Sequence, residues 1–320
     1  MSKAKYYVML ALVCMVWGAT PVTGKLLVDA FSPLLLTGIR FAVIVVILFM
    51  WLVLTRQTRQ LRLTKELFYL MAALGCLGVL LHNGLLFWGL HFTTATNTAL
   101  IESLGPTITT ILAFIFLGER LNRLGFMGIF ISCAGALFII TRGDIGVLTG
   151  LDFNVGDLII LGCEAAWSAY IIVAWRVKNR LSTIGVTAWS GLFGALMCFA
   201  AGWATDSLWV GTVDGGAMAS FIYIVFASGL FAFVAWNWSA NAVGASKAGV
   251  FVYLVPLTGA FLGVFALGEE LAPAQLVGAL LIVGGVLVTV KSKVLLRNDR
   301  DSRAEEQRSY GALADTIKEE

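Results

Sequence analysis

The amino-acid sequence predicts an all-α integral membrane protein with ten transmembrane helices in two inverted five-helix repeats. Three observations lead to this prediction. Apolar segments of about 20 residues recur along the chain, which is the length that crosses a bilayer as a helix. One sequence pattern returns after 150 positions, and lysines and arginines collect at alternate ends of the apolar segments.

The composition is that of a membrane protein. Hydrophobic residues make up 59% of the 320 residues and charged residues 13%, whereas soluble domains have about 45–50% and 25%. Continuous apolar runs favour helices, because a helix satisfies its backbone polar groups without water. The five cysteines lie inside these runs without a CxxC pair, which indicates buried small side chains rather than disulfides or a metal site: Cys14, Cys76, Cys133, Cys163 and Cys198.

An internal repeat joins the two halves of the chain. A period this long in an apolar chain indicates a duplicated membrane unit. The matching positions are Trp88 with Trp238, Pro106 with Pro256, Leu117-Gly118-Glu119 with Leu267-Gly268-Glu269, Leu121 with Leu271, Gly128 with Gly278, and Gly135 with Gly285.

The apolar segments define ten spans. Their predicted ranges are 6–28, 33–54, 67–90, 95–117, 124–141, 156–175, 184–204, 217–239, 245–267 and 274–292. The first is too long for a signal-peptide core, so we expect it to be retained. The predicted repeats cover 1–145 and 146–296, and the polar segment 297–320 is predicted to be a disordered cytoplasmic tail.

The distribution of basic residues predicts the orientation. One set of span ends carries Lys3 and Lys5; Arg56, Arg59, Arg62 and Lys65; Arg120 and Arg123; Arg176, Lys178 and Arg180; and Lys291, Lys293 and Arg297. The opposite ends carry Arg142 as the one basic residue, with Asp29, Asp144, Asp152, Asp157, Asp206, Asp214, Glu269 and Glu270. Both termini are therefore expected on the cytoplasmic side.

The period of the repeat predicts that the two halves are inverted. Each period holds five spans, and an odd number starts the second copy on the opposite side of the membrane. Inverted repeats are the architecture of many secondary transporters, in which a central site opens first to one side and then to the other.

Several motifs resemble the EamA-type branch of the drug/metabolite transporter superfamily over about residues 6–292. The first repeat carries Trp17-Gly18, Ser32-Pro33, Arg40-Phe41, Leu104-Gly105-Pro106, Gly118-Glu119-Arg120-Leu121 and Gly128 with Gly135; the second carries Tyr253-Leu254-Val255-Pro256 and Gly268-Glu269-Glu270-Leu271. One departure is Trp167-Ser168, where the family has Trp-Gly. The resemblance implies ten helices, a cavity between the halves and a secondary carrier, often an exporter of amino acids, related metabolites or drugs.

Four ionisable residues inside predicted spans are functional candidates, because charge in a bilayer is costly. With a rise of about 1.5 Å per residue, Arg40, His82, Glu102 and Glu164 all fall about 10–12 Å below the outer boundary. We expect a polar layer that binds substrate charge or a proton. Structural alternatives remain: Arg40 pairs with an acid or extends to the interface, and His82 with Asn83 forms a hydrogen-bonded helix contact.

Glu102 and Glu164 compete for the role of proton carrier. Glu102 has no neutralising residue in its own span, and a carboxyl group removed from water favours its protonated form. The sequence does not choose between the two acids, and His82 is expected to assist. Glu102 aligns with Val252 and His82 with Ala232 in the second repeat, so the charge chemistry is predicted to be one-sided.

Further candidates for the substrate path are Trp167, Tyr170, Trp236, Asn237, Lys247 and Tyr253. The aromatic side chains would wall a cavity or form an interfacial belt. Asn237 would donate hydrogen bonds. Lys247 would anchor a helix at the interface or bind a carboxylate or phosphate in the cavity.

Other motifs have structural explanations. Residues 19–26 lack the glycine and the Ser/Thr of a phosphate-binding loop, and Pro21 is expected to kink the first span. Gly259 and Gly263 are four apart, a spacing that favours close helix packing. Glu119 and Glu269 are predicted to be loop and cap elements rather than ligands.

The sequence thus predicts an inner-membrane secondary transporter that exports an amino acid or a related small polar metabolite or drug by alternating access, with protons as the coupling ion. The alternative is uniport or uptake of an organic anion or nucleotide-like solute, with Arg40 and Lys247 as anion clamps. Two histidines without a metal-ligand cluster leave little for an intramembrane enzyme, and a channel is disfavoured. The expected partners are a small-molecule substrate and the lipid bilayer, without nucleic acid, cofactor or metal, in a monomer or homodimer.

Overall fold

The computed structural model describes residues 4–119, 121–150, 153–177, 180–243, 248 and 250–292. Helices dominate these ranges, and the extended pairing within them is one bridge between Phe31 and Val210. The predicted all-α class is confirmed. Lys247 and the predicted tail lie outside the described residues, and the predicted repeat boundaries stay predictions.

The described residues form ten apolar helices in succession. The first repeat contains α1 Ala4–Lys25, α2 Pro33–Leu54, α3 Lys65–Gly89, α4 Ala95–Leu117 and α5 Arg123–Ile140. The second contains α6 Val155–Val177, α7 Thr183–Ala204, α8 Gly215–Ala240, α9 Phe251–Leu267 and α10 Pro273–Ser292. In the described part of the chain, nine are long and apolar enough to cross a membrane, and α9 is a shorter apolar helix. The protein is therefore a multi-pass membrane protein.

Helix packing follows the inverted repeat. Helix α1 packs on α8 and α9, and α6, its counterpart five helices later, packs on α3 and α4. Helices α2 and α7 pack on each other, as do α4 and α9, and both pairs are counterparts under the repeat. These contacts join opposite halves, so the two repeats interlock rather than stand side by side.

The crossing of α5 and α10 shows the pseudo-twofold relation most directly. A Cβ added to Gly285 would lie 2.5 Å from the carbonyl oxygen of Gly128, and one added to Gly135 would lie 2.7 Å from that of Gly278. Exchanging each residue for its repeat partner turns one contact into the other. Ser132 donates to the carbonyl oxygen of Ile282, which lies 150 positions later, at 3.2 Å. The two helices are therefore antiparallel around an axis near Ser132.

The repeated Gly-Glu motif ends a helix in each half. Gly118 and Gly268 have φ values of 65° and 67°, the left-handed conformation that terminates helices at low cost for glycine. The Glu269 carboxylate then accepts hydrogen bonds from the backbone N–H groups of Ala95 and Thr96 at 2.7 and 2.8 Å. The prediction that Glu269 is a cap element is confirmed.

Several helices are irregular inside the membrane. Helix α1 breaks between Gly18 and Thr20, next to Pro21, which confirms the predicted kink. π-helical segments occur at similar repeat positions, Cys76–Asn83 in α3 and Tyr223–Phe231 in α8. Such segments are frequent at functional sites. Gly259 and Gly263 pack closely against α1 and α4, as their spacing predicts.

The ends of the helices lie at two opposite sides of the molecule. On one side, called the acidic side, Gly211 N–H donates to the Ala30 carbonyl oxygen at 3.0 Å, which joins the loop after α1 to the loop after α7. On the other, called the basic side, Ser292 Oγ lies 2.5 Å from Asn122 Oδ1. Lys25 ends α1 on the acidic side, so the prediction that Arg142 is the one basic residue there is wrong. Lys25 was missed because it falls inside the predicted first span.

Candidate substrate and proton site

Two acids, the half-buried Glu102 and the buried Glu164, meet where the first repeat contacts the second. Glu164 of α6 is 4% exposed, and a Cβ added to Gly105 of α4 would lie 2.5 Å from its Oε2 atom. Glu102, three residues before Gly105, interacts electrostatically with Glu164. Each repeat therefore contributes one carboxyl group to the same region of the interior.

Glu102 lies at a break in α4. The helix is divided into Ala95–Glu102 and Gly105–Leu117, and Pro106 has no N–H group with which to bond the Glu102 carbonyl four residues earlier. Glu102 thus ends the first half-helix, at the negative end of its dipole, whereas Glu164 lies at the positive start of the second half-helix. The two carboxyl groups have different electrostatic surroundings although they are neighbours.

His82 lies beside this acid pair. Its Nδ1 atom is 3.1 Å from Cys163 Sγ and 3.2 Å from the Cys163 carbonyl oxygen. The Trp167 indole packs on the imidazole with ring centroids 4.9 Å apart. The π-helical segment of α3 therefore directs His82 toward α6, in the neighbouring repeat.

An aromatic wall extends from the histidine. Trp167 and Tyr170 stack with centroids 5.0 Å apart and an interplanar angle of 8°. The Tyr170 ring covers Gly78, where an added Cβ would lie 2.7 Å from Tyr170 Cδ2. Gly78 is therefore required to make room for the tyrosine.

Arg40 of α2 is a buried cation that contacts α3. It is 6% exposed, and its Nη1 atom donates to Asn83 Oδ1 at 2.9 Å. Asn83 in turn donates to the Gly78 carbonyl oxygen at 2.8 Å. The Arg40 Nε atom has no hydrogen-bond partner, which leaves one donor of a buried guanidinium available.

The remaining candidates have other contacts than the group described so far, which we call the polar cluster: Arg40, His82, Asn83, Glu102, Glu164, Trp167 and Tyr170. Trp236 packs on Trp17 at 5.2 Å in the α1–α8 contact, and Asn237 donates to the Phe233 carbonyl oxygen of its own helix at 2.8 Å. Tyr253 packs against the main hydrophobic core. The substrate-path roles of Trp236, Asn237 and Tyr253 stay predictions, and Lys247 lies outside the described residues.

A second polar group, called the acidic-side network, ties the two halves together at the start of α4. Asp157 of α6 is fully buried; it accepts hydrogen bonds from Thr93 Oγ1 and from Asn97 Nδ2, the latter at 3.1 and 3.2 Å. Gln275 of α10 donates to Asn97 Oδ1 at 2.6 Å. With Glu269, these residues connect both repeats at one end of the molecule.

Lys25 reinforces that end. Its Nζ atom donates to the carbonyl oxygens of Leu90 and Thr93 at 2.5 and 2.8 Å, at the end of α3 and the loop that follows it. Cations next to unpaired carbonyls at a helix end are stabilising. The basic side instead has an exposed ion pair between Arg180 and Glu66, with Nη2 and Oε2 2.5 Å apart.

A cavity of about 280 Å³ lies elsewhere, in a groove between α9 and α10. Its lining is almost wholly apolar, and the side chains of Phe261 and Phe265 that border it are 58% and 73% exposed. This groove belongs to the outer surface and contains no residue of the polar cluster.

Comparison with known proteins decides the family. The model of the EamA-like transporter family matches the chain twice, over residues 4–141 and 154–291. The chain belongs to the EamA-like transporter family. The two matches correspond to the two repeats. The chain is thereby also a member of the drug/metabolite transporter superfamily.

Its relatives are also transporters by name. The "Uncharacterized transporter YyaM" of Bacillus subtilis (strain 168) is 29% identical over 288 residues, which cover 90% of this chain and 94% of the relative. The "Probable terminal-alkyne amino-acid exporter" of Streptantibioticus cattleyicolor is 24% identical over 225 residues, covering 68% and 72%. A crystal structure described only as that of a protein shares the fold, with a TM-score of 0.61, 22% identity and coverage of 92% and 99%.

Sequence reasoning missed most of the acidic-side network in this EamA protein. Asp157 was counted only as an outer acid, and Thr93 and Gln275 were not singled out. A signal was present in Asn154 and Asp157, which lie three apart at a helix start, where the Asn154 side chain accepts from the Asp157 N–H at 3.2 Å. Nothing in the sequence showed which helix would face Asp157.

Proposed function

We propose that this protein is a secondary active transporter that exports an amino acid or a related small polar metabolite by alternating access, with protons as the coupling ion. The observation that carries the proposal is a pair of carboxyl groups at the break in α4, the half-buried Glu102 from one repeat and the buried Glu164 from the other. A pair that spans the interface between the halves is sensitive to their relative movement. The relative named as a probable amino-acid exporter supports the substrate class.

The polar cluster suits a zwitterionic substrate. Arg40 has an unpaired buried Nε donor, which would bind the substrate carboxylate. The acids would bind the ammonium group, and Trp167 with Tyr170 would cover the apolar part. A site that pairs both charges of an amino acid avoids leaving either charge unpaired in a low dielectric.

We assign the exchanged proton to Glu102. It lies at the negative end of a half-helix beside a second carboxyl group, whereas Glu164 faces the positive end of the next half-helix. Loss of the Glu102 proton would be favoured when a substrate ammonium arrives, which would couple the two movements. His82 is close enough to Cys163 and Glu164 to relay a proton to this pair.

Alternating access requires the acidic-side network to break. With the basic side cytoplasmic, as the excess of Lys and Arg predicts, the protein lies in the inner membrane with both termini inside. The bonds of Asp157 and Gln275 to Asn97 then join the halves at the outer end. Opening toward the outside would break these bonds and leave the two halves joined by contacts on the basic side.

Flux into proteoliposomes tests the proposal. Glu102→Gln should abolish amino-acid movement driven by a pH gradient, because the amide cannot exchange a proton, while substrate counterflow without a gradient should persist. Val252→Gln, the same amide at the repeat-equivalent position, is the matched control and should keep most of the driven flux. Unchanged pH-driven flux in both Glu102→Gln and Glu164→Gln would refute proton coupling through this pair.

The unpaired Arg40 donor also favours a second candidate function, uniport or uptake of an organic anion. In that case Arg40→Gln should abolish binding of anionic solutes, and Glu102→Gln should leave their flux unchanged. For the proposed amino-acid exporter, both variants should impair transport, so the pair of variants separates the two functions.

A further inference from the structure

Three potential metal ligands of different chemistry meet beside the acid pair. One donor atom each from His82, Cys163 and Glu164 lies within 4.8 Å of the other two, and His82 Nδ1 is 3.1 Å from Cys163 Sγ. The histidine comes from α3 and the other two from α6, 81 positions later for Cys163. No sequence motif reveals this group, because its members belong to different repeats.

The donor set selects a class of metal. Imidazole nitrogen, thiol sulfur and carboxylate oxygen together suit zinc and similar borderline ions such as cobalt(II), whereas magnesium and calcium prefer oxygen ligands alone. Metal–ligand bonds of about 2.0–2.3 Å place neighbouring ligands of a tetrahedral ion about 3.5 Å apart. The His82–Cys163 pair is already close to that separation, and the Glu164 carboxylate is within a small side-chain movement of it.

Charge favours a divalent ion at this position. Glu102 acts electrostatically on both Cys163 and Glu164, and the one ion pair within the described residues is formed elsewhere, by Arg180 and Glu66. Metal ligands bind in their deprotonated forms, and one divalent cation compensates the charges of the Cys163 thiolate and the Glu164 carboxylate. Arg40 opposes binding as a like charge acting on His82, although its Nη1 atom is directed to Asn83.

The histidine is also held in a suitable orientation. Trp167 packs on its ring at 4.9 Å, and supports of this kind around a ligand fix its plane and raise metal affinity. His82 is itself only partly buried, in contrast to the buried Cys163 and Glu164.

We propose that His82, Cys163 and Glu164 bind a borderline divalent transition metal, zinc or cobalt(II), and that the bound ion blocks transport by fixing α3 of one repeat to α6 of the other. Metal binding follows from the ligand geometry alone. The block rests on the proposed transport function, so the two parts need separate measurements.

Cobalt(II) titration of the purified full-length protein in detergent tests the binding. Wild type should develop the sulfur-to-cobalt charge-transfer absorption of a thiolate ligand, and zinc should displace it. Cys163→Ser should lose this band and bind at least about 100-fold more weakly. Cys198→Ser, which removes another fully buried thiol, should retain both. A band that persists in Cys163→Ser, or no band in wild type, would overturn the site.

A second variant, His82→Gln, tests the site independently in case Cys163→Ser fails to fold. This variant keeps the thiol but removes the nitrogen ligand, so it should retain charge-transfer absorption with an altered d–d spectrum and weaker affinity. An unaltered spectrum and affinity would show that His82 is not a ligand.

Inhibition by zinc tests the block of transport. For each variant we compare the amino-acid flux into proteoliposomes with and without micromolar zinc, as a ratio. Wild type and Cys198→Ser should be inhibited strongly, and Cys163→Ser only weakly. Equal inhibition of all three would refute the block at this site. If wild type transports nothing even without zinc, the proposed function fails, while the cobalt spectrum still decides whether the metal site exists.

Discussion

The polar cluster and the equivalent region one repeat away have the same framework but different chemistry. Glu102, His82, Glu164 and Arg40 correspond to Val252, Ala232, Cys14 and Ser190. Trp167 corresponds to another tryptophan, Trp17, so the aromatic position is common to both. The two repeats are therefore copies of one scaffold, and these ionisable groups occupy only one of the two equivalent regions.

Pairs of contacting residues that differ between the two repeats show how the packing accommodates this difference in chemistry. The Thr20 hydroxyl bonds to that of Ser228 at 2.8 Å, and the same two positions in the other copy are Tyr170 and Gly78, where the ring takes the space of the missing side chain. Similarly, Gly18 packs on Gly259, whereas their counterparts Ser168 and Thr109 share a hydrogen bond of 3.0 Å. Ser168 also donates to the Gly105 carbonyl oxygen at 3.3 Å, which accounts for the departure from Trp-Gly.

The largest effect on stability is expected where the two halves are most alike. Gly285→Ala places a Cβ 2.5 Å from the carbonyl oxygen of Gly128, and this overpacking should cost about 2–3 kcal/mol of unfolding free energy. Gly284→Ala is the control, because a Cβ there meets nothing within 4 Å. Unfolding by SDS in mixed micelles measures both, and equal stabilities would show that the crossing is not tightly packed.

An intermediate effect on stability is expected for Gly78 and Tyr170, the pair that differs from its counterpart in the other repeat. Gly78→Ser forces a side chain into the Tyr170 ring and should destabilise by about 1–3 kcal/mol. Adding Tyr170→Thr recreates the Thr–Ser pair of the other half, so the double variant should recover at least about 1 kcal/mol relative to additivity. It should fold without regaining transport, since the aromatic wall is gone. Additive losses would argue against equivalence of the two sites.

The smallest effect is expected at the cap that joins α9 to α4. Glu269→Ala removes two hydrogen bonds to backbone N–H groups and should cost about 1 kcal/mol. The adjacent Glu270→Ala removes the same charge from an exposed side chain and should be close to neutral. Thermal unfolding in detergent compares them. A loss in Glu270→Ala equal to that in Glu269→Ala would point to general charge effects instead of the cap.

Much of the fold could be predicted because its signals are local or periodic. Predicted spans 33–54 and 95–117 have the same bounds as α2 and α4. The kink at Pro21 and the glycine caps at Gly118 and Gly268 follow from backbone chemistry that needs no tertiary contact. Span nine is tested only from residue 250, because residues 244–247 and 249 lie outside the described ranges.

The candidate site could be predicted only in part. The depth estimate selected Arg40, His82, Glu102 and Glu164, and the structure brings the last three toward one another, with Arg40 held by Asn83. The same reasoning could not separate them from Trp236 and Asn237, whose contacts are with Trp17 and with the Phe233 carbonyl oxygen. Depth along a helix is fixed by residue number, but the direction of a side chain around the bundle is fixed by neighbouring helices.

The sequence by itself determined the membrane environment, the duplication, the motifs of the family and the one-sided distribution of charge, because each depends on residue type and order. Only the tertiary structure decided which charges meet. Glu164 faces the break beside Glu102, Asp157 joins the acidic-side network, and Cys163 lies against His82, because the inverted repeats interlock and bring α6 against α3 and α4. These contacts cross between halves, and no spacing along the chain encodes them.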